Sequence, residues 1–225
     1  MSKKCFVVIV AGGSGVRMGS DIPKQFLDLE GKPILLWTIE AFLKLSLPVE
    51  IILVLPSDCI NMWEEMCASR DLNLKCNIVH GGITRFHSVK NALKFVPEGA
   101  LVAVHDGVRP FVPSEMIDSL FKRAEECGAV IPVIKPIDSM RHLTPEGLSN
   151  HVKREEYVLI QTPQVFDSNI LLKAYDQPYS QLFTDDASVV ESAGHTIFLV
   201  EGNHLNIKIT RKEDLVLARA ILSVF

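Results

Sequence analysis

The apolar positions of this chain fall into short runs that alternate with stretches of helical spacing. Cys5 to Ala11 is a nearly unbroken apolar run and Glu50 to Leu55 is another, the pattern of strands covered on both faces. Between them Ile34 to Leu45 reads as a helix, and a second helix is expected to begin near Ser57. After a strand-like Cys76 to Val79, apolar Phe86, Val89, Leu93 and Val96 recur at helical spacing. Strand Ala100 to Val104 follows, then a helix with Met116, Ile117, Leu120, Phe121 and Ala124 on one face and Ser114 placed to cap it. Strand Ala129 to Ile134 comes next. Strands alternating with helices predict a parallel sheet, with functional loops at the carboxyl ends of its strands.

From about Pro136 to Gln161 the alternation breaks. Residues 138–144, a Pro145-Glu146-Gly147 turn and Leu148 to Arg154 read as a polar hairpin, which cannot bury itself. It is either a solvent-washed excursion or, the favoured reading, an arm that packs on another subunit. Further on, Thr184-Asp185-Asp186 opens a helix through Val189, Val190 and Ala193 that stops at Gly194. Asn206 to Ile209 reads as a strand, with Lys208 facing solvent unless loops converge there. Thr210 to Glu213 reads as a capping box that starts the last helix.

Composition narrows the class. The chain has 225 residues, 48% hydrophobic and 22% charged, which suits one globular domain with a substantial core. A formal charge of −4 gives no general attraction to nucleic acid or anionic membrane, and no apolar run approaches the length of a membrane span. A cytoplasmic protein with a small-molecule ligand is expected, with neither nucleic acid nor membrane as partner. The five cysteines form no C-x-x-C pair and are expected as buried reduced thiols. The seven histidines lack metal-ligand spacing, so any metal would be magnesium held by carboxylate and phosphate rather than zinc.

The chemistry begins where the first strand empties into Ala11-Gly12-Gly13-Ser14-Gly15-Val16-Arg17-Met18-Gly19, followed by Pro23-Lys24-Gln25-Phe26. Glycines let backbone N–H groups converge on phosphate oxygens, and Arg17 and Lys24 add fixed positive charge suited to a polyphosphate. A Walker A loop does not fit, because no Lys-Ser or Lys-Thr follows a glycine at that spacing. A dinucleotide fingerprint does not fit either: the glycines read G-x-G-x-x-x-G, and the next strand ends in Pro56-Ser57 without a carboxylate. Gly81-Gly82, before Thr84-Arg85 and Ser88, is a second close-approach backbone that could read a base edge, or a plain strand-to-helix turn capped by Thr84. Asp106, at a strand end before Gly107 and Arg109, is either a ligand-handling carboxylate or a turn residue paired with Arg109.

Taken together, AGGSGVRMG-x4-PKQF, GG-x-TR-x2-S at Gly81 to Ser88, HDGVRPF at His105 to Phe111, QTPQVF at Gln161 to Phe166, TDDAS at Thr184 to Ser188 and NIKIT at Asn206 to Thr210 carry a resemblance. The chain resembles the cytidylyltransferases acting on polyol phosphates, most closely those whose acceptor is 2-C-methyl-D-erythritol 4-phosphate. The resemblance runs from about residue 7 to 215. It implies a Rossmann-like α/β nucleotidyltransferase fold over residues 1–225: a mostly parallel twisted sheet flanked by helices, with a protruding β-arm at about 136–160 used for dimerisation. The implied reaction is transfer of CMP from CTP to the acceptor phosphate with release of pyrophosphate, dependent on magnesium.

By the same resemblance Arg17, Lys24 and Lys208 would be catalytic, and Ala11, Gly12, Gly13, Gly15, Gly81, Gly82 and Ser88 would hold CTP. Asp106, Arg109, Ser139, Arg154, Thr184 and Lys208 would hold the acceptor, with Asp106 also a metal contact. Ser139 and Arg154 would complete the partner's site across a homodimer. Ser139 stands where the family often has Thr, which keeps the hydroxyl. Ile83 departs from a carboxylate frequent in relatives, which implies a changed nucleoside contact. Two rival readings are a ribitol 5-phosphate cytidylyltransferase and a catalytically silent nucleotide-binding regulator. Asp138-Ser139-Met140-Arg141 and Asn206-Ile207-Lys208 speak against the first, and the joint presence of Arg17, Lys24, Asp106 and Lys208 against the second.

Overall fold

The computed structural model describes residues 3–12 and 22–223. In chain order its elements are β1 (Cys5–Val10), β2 (Asp28–Leu29), β3 (Lys32–Pro33), α1 (Ile34–Leu43), β4 (Val49–Leu55), α2 (Ile60–Ser69), β5 (Cys76–His80), α3 (Arg85–Leu93), β6 (Leu101–Asp106), α4 (Ser114–Cys127) and β7 (Ala129–Ile134). There follow β8 (Arg141–Leu143), β9 (Ser149–His151), β10 (Leu159–Ile160), β11 (Gln164–Asp167), α5 (Ser168–Tyr175), α6 (Asp186–Ser192), β12 (Phe198–Glu201) and α7 (Lys212–Leu222).

Among the described residues eight strands form the main sheet, in the order β10-β7-β11-β6-β1-β4-β5 with β12 also on β7. The pairs β6-β1, β1-β4, β4-β5 and β7-β12 are parallel. Strand β11 is antiparallel to both β6 and β7, which makes the sheet mixed though mostly parallel. The alternate residues of β1 explain the continuous apolar run. Phe6 and Val8 face a core with Phe86 and Val89 of α3 and Leu171 of α5, while Val7 and Ile9 face one with Ile39 and Phe42 of α1 and Leu120 of α4. A third cluster, including Leu29, Ile34, Val108, Phe111, Ile209 and Ala218, fastens α7 beside the loop that follows β6.

Several expectations are corrected. Asn206 to Ile209 is not a strand: its backbone is irregular, and the Ile209 N–H donates to the Val108 carbonyl at 2.9 Å. Ser114 does not cap α4, because Pro113 occupies that place with no side-chain bond. The acid that closes the start of α7 is Asp214, not Glu213; its Oδ2 accepts from the Thr210 and Arg211 amides at 2.7 and 2.8 Å. The α6 start is as expected, with Asp185 at the cap and Gly194 left-handed after the end. The cysteines are free, Cys5 and Cys59 buried and the other three half-buried. The hairpin is present as β8 paired with β9, and Leu143 and Leu148 on it are 73% and 71% exposed. No helix among the described residues is long and apolar enough to cross a membrane.

Candidate active site

The carboxyl ends of β6, β1, β4 and β5 lie side by side in that order, because these strands belong to one parallel set. A cleft of about 310 Å³ opens there. Of the residues singled out from sequence, Ala11, Gly12, Lys24, Gly82, Ser88, Asp106 and Lys208 line it. Gln25, Ile83, Thr84 and Arg85 line it as well.

The turn after β6 is tied at every residue. The Gly107 N–H donates to the Val10 carbonyl at 2.9 Å, and a Cβ on Gly107 would stand 2.9 Å from that of Ala11, so only glycine permits this approach. The Thr38 hydroxyl donates to the Gly107 carbonyl, and the Arg109 N–H closes the turn on the Asp106 carbonyl. Asp106 is thereby held at the cleft wall, and three cations meet it. Lys208 Nζ is 2.9 Å from Oδ2, Arg109 Nε 3.3 Å from the same oxygen, and Arg85 Nε 3.8 Å from Oδ1. Burial works against charge on this carboxyl, but Arg85, Lys208 and Arg109 outweigh it and hold the group well below the usual carboxylate range.

Both readings of Asp106 therefore hold at once: it pairs with Arg109 and it also lines the cleft. Lys208 is the correction to strand alternation. Its segment crosses back over the β6 loop, so the loops converge and the ammonium turns inward to Asp106. Arg85 was missed as a site residue because its partner is remote in sequence. Its Nη2 donates to Asp186 Oδ2 at 2.5 Å, and the Tyr175 hydroxyl donates to the other oxygen at 2.6 Å. Asp186 is fully buried, so Arg85 bridges an interior carboxylate and the cleft carboxylate.

The second turn is also compact. The Gly81 amide is bonded to the Leu55 carbonyl and the Gly82 amide to Ser88 Oγ, which in turn donates to the Thr84 carbonyl. A Cβ on Gly82 would fall 2.4 Å from that of His87. Thr84 does cap α3, accepting from the His87 amide, so the turn is a capped helix start and a cleft wall together. The Ala11 amide is bonded to Val54 and its carbonyl to Gln25 Nε2, which fixes the exit of β1. Gly13, Gly15 and Arg17 lie outside the described residues.

Ser139, Arg154 and Thr184 do not line the cleft of their own chain. Ser139 and Arg154 are exposed on the arm, where the Arg154 guanidinium donates to the Ile137 carbonyl. Thr184 is exposed before α6. Ile83 is 91% exposed at the cleft rim.

A family model described as 2-C-methyl-D-erythritol 4-phosphate cytidylyltransferase matches residues 5–224. The chain belongs to that family. A relative of that name from Bacteroides fragilis is 52% identical over 215 residues, covering 96% of this chain and 98% of its own. Another from Porphyromonas gingivalis is 48% identical, covering 99% of this chain and all of its own. The crystal structure of 4-diphosphocytidyl-2C-methyl-D-erythritol synthase from Anaerococcus prevotii superposes with a TM-score of 0.83 at 28% identity, over 98% of this chain and 96% of that one. The Francisella tularensis 2-C-methyl-D-erythritol 4-phosphate cytidylyltransferase gives 0.80 at 32% identity, over 96% and 99%. Family membership thus covers the strands, the cleft turns and the arm alike. Among the described residues no group of three or more His, Cys, Asp or Glu side chains gathers to hold a metal, and Asp106 is the carboxylate that lines the cleft. That donor set fits a magnesium ion carried largely by nucleotide phosphates, which takes few protein oxygens.

Proposed function

We propose that this chain transfers CMP from CTP to 2-C-methyl-D-erythritol 4-phosphate in non-mevalonate isoprenoid precursor synthesis. A phosphate oxygen of the acceptor attacks the α-phosphorus of CTP, the α–β bridging P–O bond breaks, and pyrophosphate leaves with that electron pair. The product is 4-diphosphocytidyl-2-C-methyl-D-erythritol. The observation that carries the reading is the joining of Gly12 and Lys24, Ser88, and the Asp106–Lys208 pair around one cleft, in a chain of this family. Relatives with the methylerythritol name favour this acceptor over ribitol 5-phosphate.

In this reading Lys24 and Arg17 neutralise charge at the five-coordinate phosphorus, where positioning and charge do most of the work. Gly12, with Ala11, Gly13 and Gly15, forms the triphosphate cradle. Gly81, Gly82 and Ser88 hold the cytidine; the two glycine amides and the Ser88 hydroxyl proton are already bonded internally, so the nucleoside meets the backbone that follows and the remaining lone pair of Ser88 Oγ. Lys208 and Arg109 orient the acceptor phosphate, and Asp106 holds both cations in place. Asp106 and the triphosphate would hold magnesium, which would supply charge neutralisation there.

Ser139, Arg154 and Thr184 complete the acceptor site. The first two would reach it from a partner, since both are exposed and neither lines the cleft of its own chain. Exposed Ile137, Leu143, Leu148 and Tyr157 to Ile160 on and beside the arm support a homodimer built through residues 136–160 of a single-domain chain in the cytoplasm. Pyrophosphate release is the test, with CTP and magnesium and each acceptor in turn. Release is expected with 2-C-methyl-D-erythritol 4-phosphate; release with ribitol 5-phosphate alone would move the chain to the rival reading, and none with either would favour the silent binder.

A further inference from the structure

His105 precedes Asp106 on β6, is fully buried, and does not line the cleft. Its ring meets the edge of Phe42, with centroids 4.9 Å apart. Each ring nitrogen has a partner: Nε2 lies 3.1 Å from the Arg109 carbonyl oxygen and Nδ1 3.1 Å from Thr162 Oγ1. A carbonyl only accepts, so Nε2 carries a proton. Among the described residues Nδ1 is the acceptor that faces the buried Thr162 hydroxyl, and a proton on Nδ1 would leave that hydroxyl without one, so Nδ1 is bare. The Thr162 hydroxyl must then donate to Nδ1. The same oxygen accepts the Asp106 N–H at 3.1 Å. Donors therefore run in one direction, from the Asp106 amide through Thr162 and His105 to the Arg109 carbonyl.

We propose that His105, in its Nε2–H form, is a positioning residue that with Thr162 ties the two ends of the Asp106–Arg109 turn and so aims the carboxylate and the guanidinium at the acceptor. Apart from the bond from the Arg109 N–H to the Asp106 carbonyl, the other backbone bonds of this turn hold Gly107 and Val108, its middle. The string through His105 holds the ends, where the functional side chains leave. It also reaches Lys208: the Thr162 carbonyl accepts from Asn206 Nδ2 at 2.8 Å, and the Asn206 carbonyl accepts from Arg109 Nη1 at 2.8 Å. Asn206 is two residues before Lys208, so QTPQVF serves as the anchor from which both cationic loops are set.

The kinetic consequences rest on the cytidylyl-transfer reading; the tautomer does not. Ring nitrogen NMR of the wild-type protein with labelled histidine, the His105 signals assigned by their loss in His105→Gln, is expected to show the Nε2–H tautomer. An Nδ1–H or charged ring would overturn the proposal. In Thr162→Val, kcat/KM for the acceptor is expected to fall about 10- to 100-fold while KM for CTP stays within about twofold, since small misplacement of reacting groups has effects of this size. Thr162→Ser keeps the hydroxyl and is expected to restore the acceptor value to within about threefold of wild type. An unchanged acceptor kcat/KM in Thr162→Val, or equal loss toward both substrates without rescue by Thr162→Ser, would overturn the proposal. Should Thr162→Val not fold, the tautomer and the Thr162→Ser kinetics decide. Absence of pyrophosphate release by the wild type would instead count against the functional reading alone.

Discussion

Arg85 has the most consequential placement of any single residue, because it has one carboxylate in the interior and another in the cleft. Asp186 and the Tyr175 hydroxyl share that interior end, and Tyr175 is held well above the usual phenol range by burial and by the Asp186 charge. Replacing Arg85 with Met would leave Asp186 buried with only one neutral donor of this set. Removal of one partner from a buried pair destabilises by about 3–5 kcal/mol, so Arg85→Met is expected to lower the urea midpoint sharply. A midpoint close to wild type would mean that Asp186 is satisfied by other groups. Sequence could place Arg85 two residues after Ile83 on a helix start. It could not show that α6, about a hundred residues later, supplies the counter-charge. Asp106 and the glycine turns were legible because each lies at or directly after a strand end, and Lys24 because it stands in the Pro23-Lys24-Gln25-Phe26 motif that follows the first glycine run.

At the scale of elements, α7 illustrates how a local signal can be right in kind and shifted in detail. A capping acid was expected from the Thr-x-x-Glu spacing, yet the helix starts one residue later than that spacing implies and Asp214 takes the role. Partial burial works against its charge, but bonds from the Thr210 and Arg211 amides and the Thr210 hydroxyl hold its carboxyl below the ordinary aspartate range. A depressed folded value means that the stabilisation is complete above the unfolded value and is lost as pH falls through the folded one. Asp214→Ala is therefore expected to lower stability by about 1 kcal/mol at neutral pH, with the difference from wild type shrinking below about pH 4. Thermal melts at several pH values would check this, and a difference that grew on acidification would refute it. Strand β11 was not legible as a strand, since four residues between Pro163 and a helix carry little periodicity. Its place between β6 and β7 comes from register with both neighbours.

At the scale of the whole molecule, Arg154 and Lys208 would belong to opposite halves of a shared site. Arg154→Ala and Lys208→Ala proteins are each expected to turn over poorly. After mixing and subunit exchange, half of the dimers would be hybrids, each with one intact site, so about a quarter of the wild-type activity is expected to return. Steady-state rates before and after exchange would measure it; no recovery despite proven exchange would place Arg154 outside the site. The sequence by itself determined the strand and helix alternation, the glycine turns at strand ends and the family, because these are written in local spacing and residue type. Only the tertiary structure decided that Lys208 turns inward, that Asp186 backs Arg85, and that His105 and Thr162 hold the Asp106 turn. Those are contacts between segments far apart along the chain. Their partners are chosen by which loops the sheet order sets side by side, and no local pattern encodes that order.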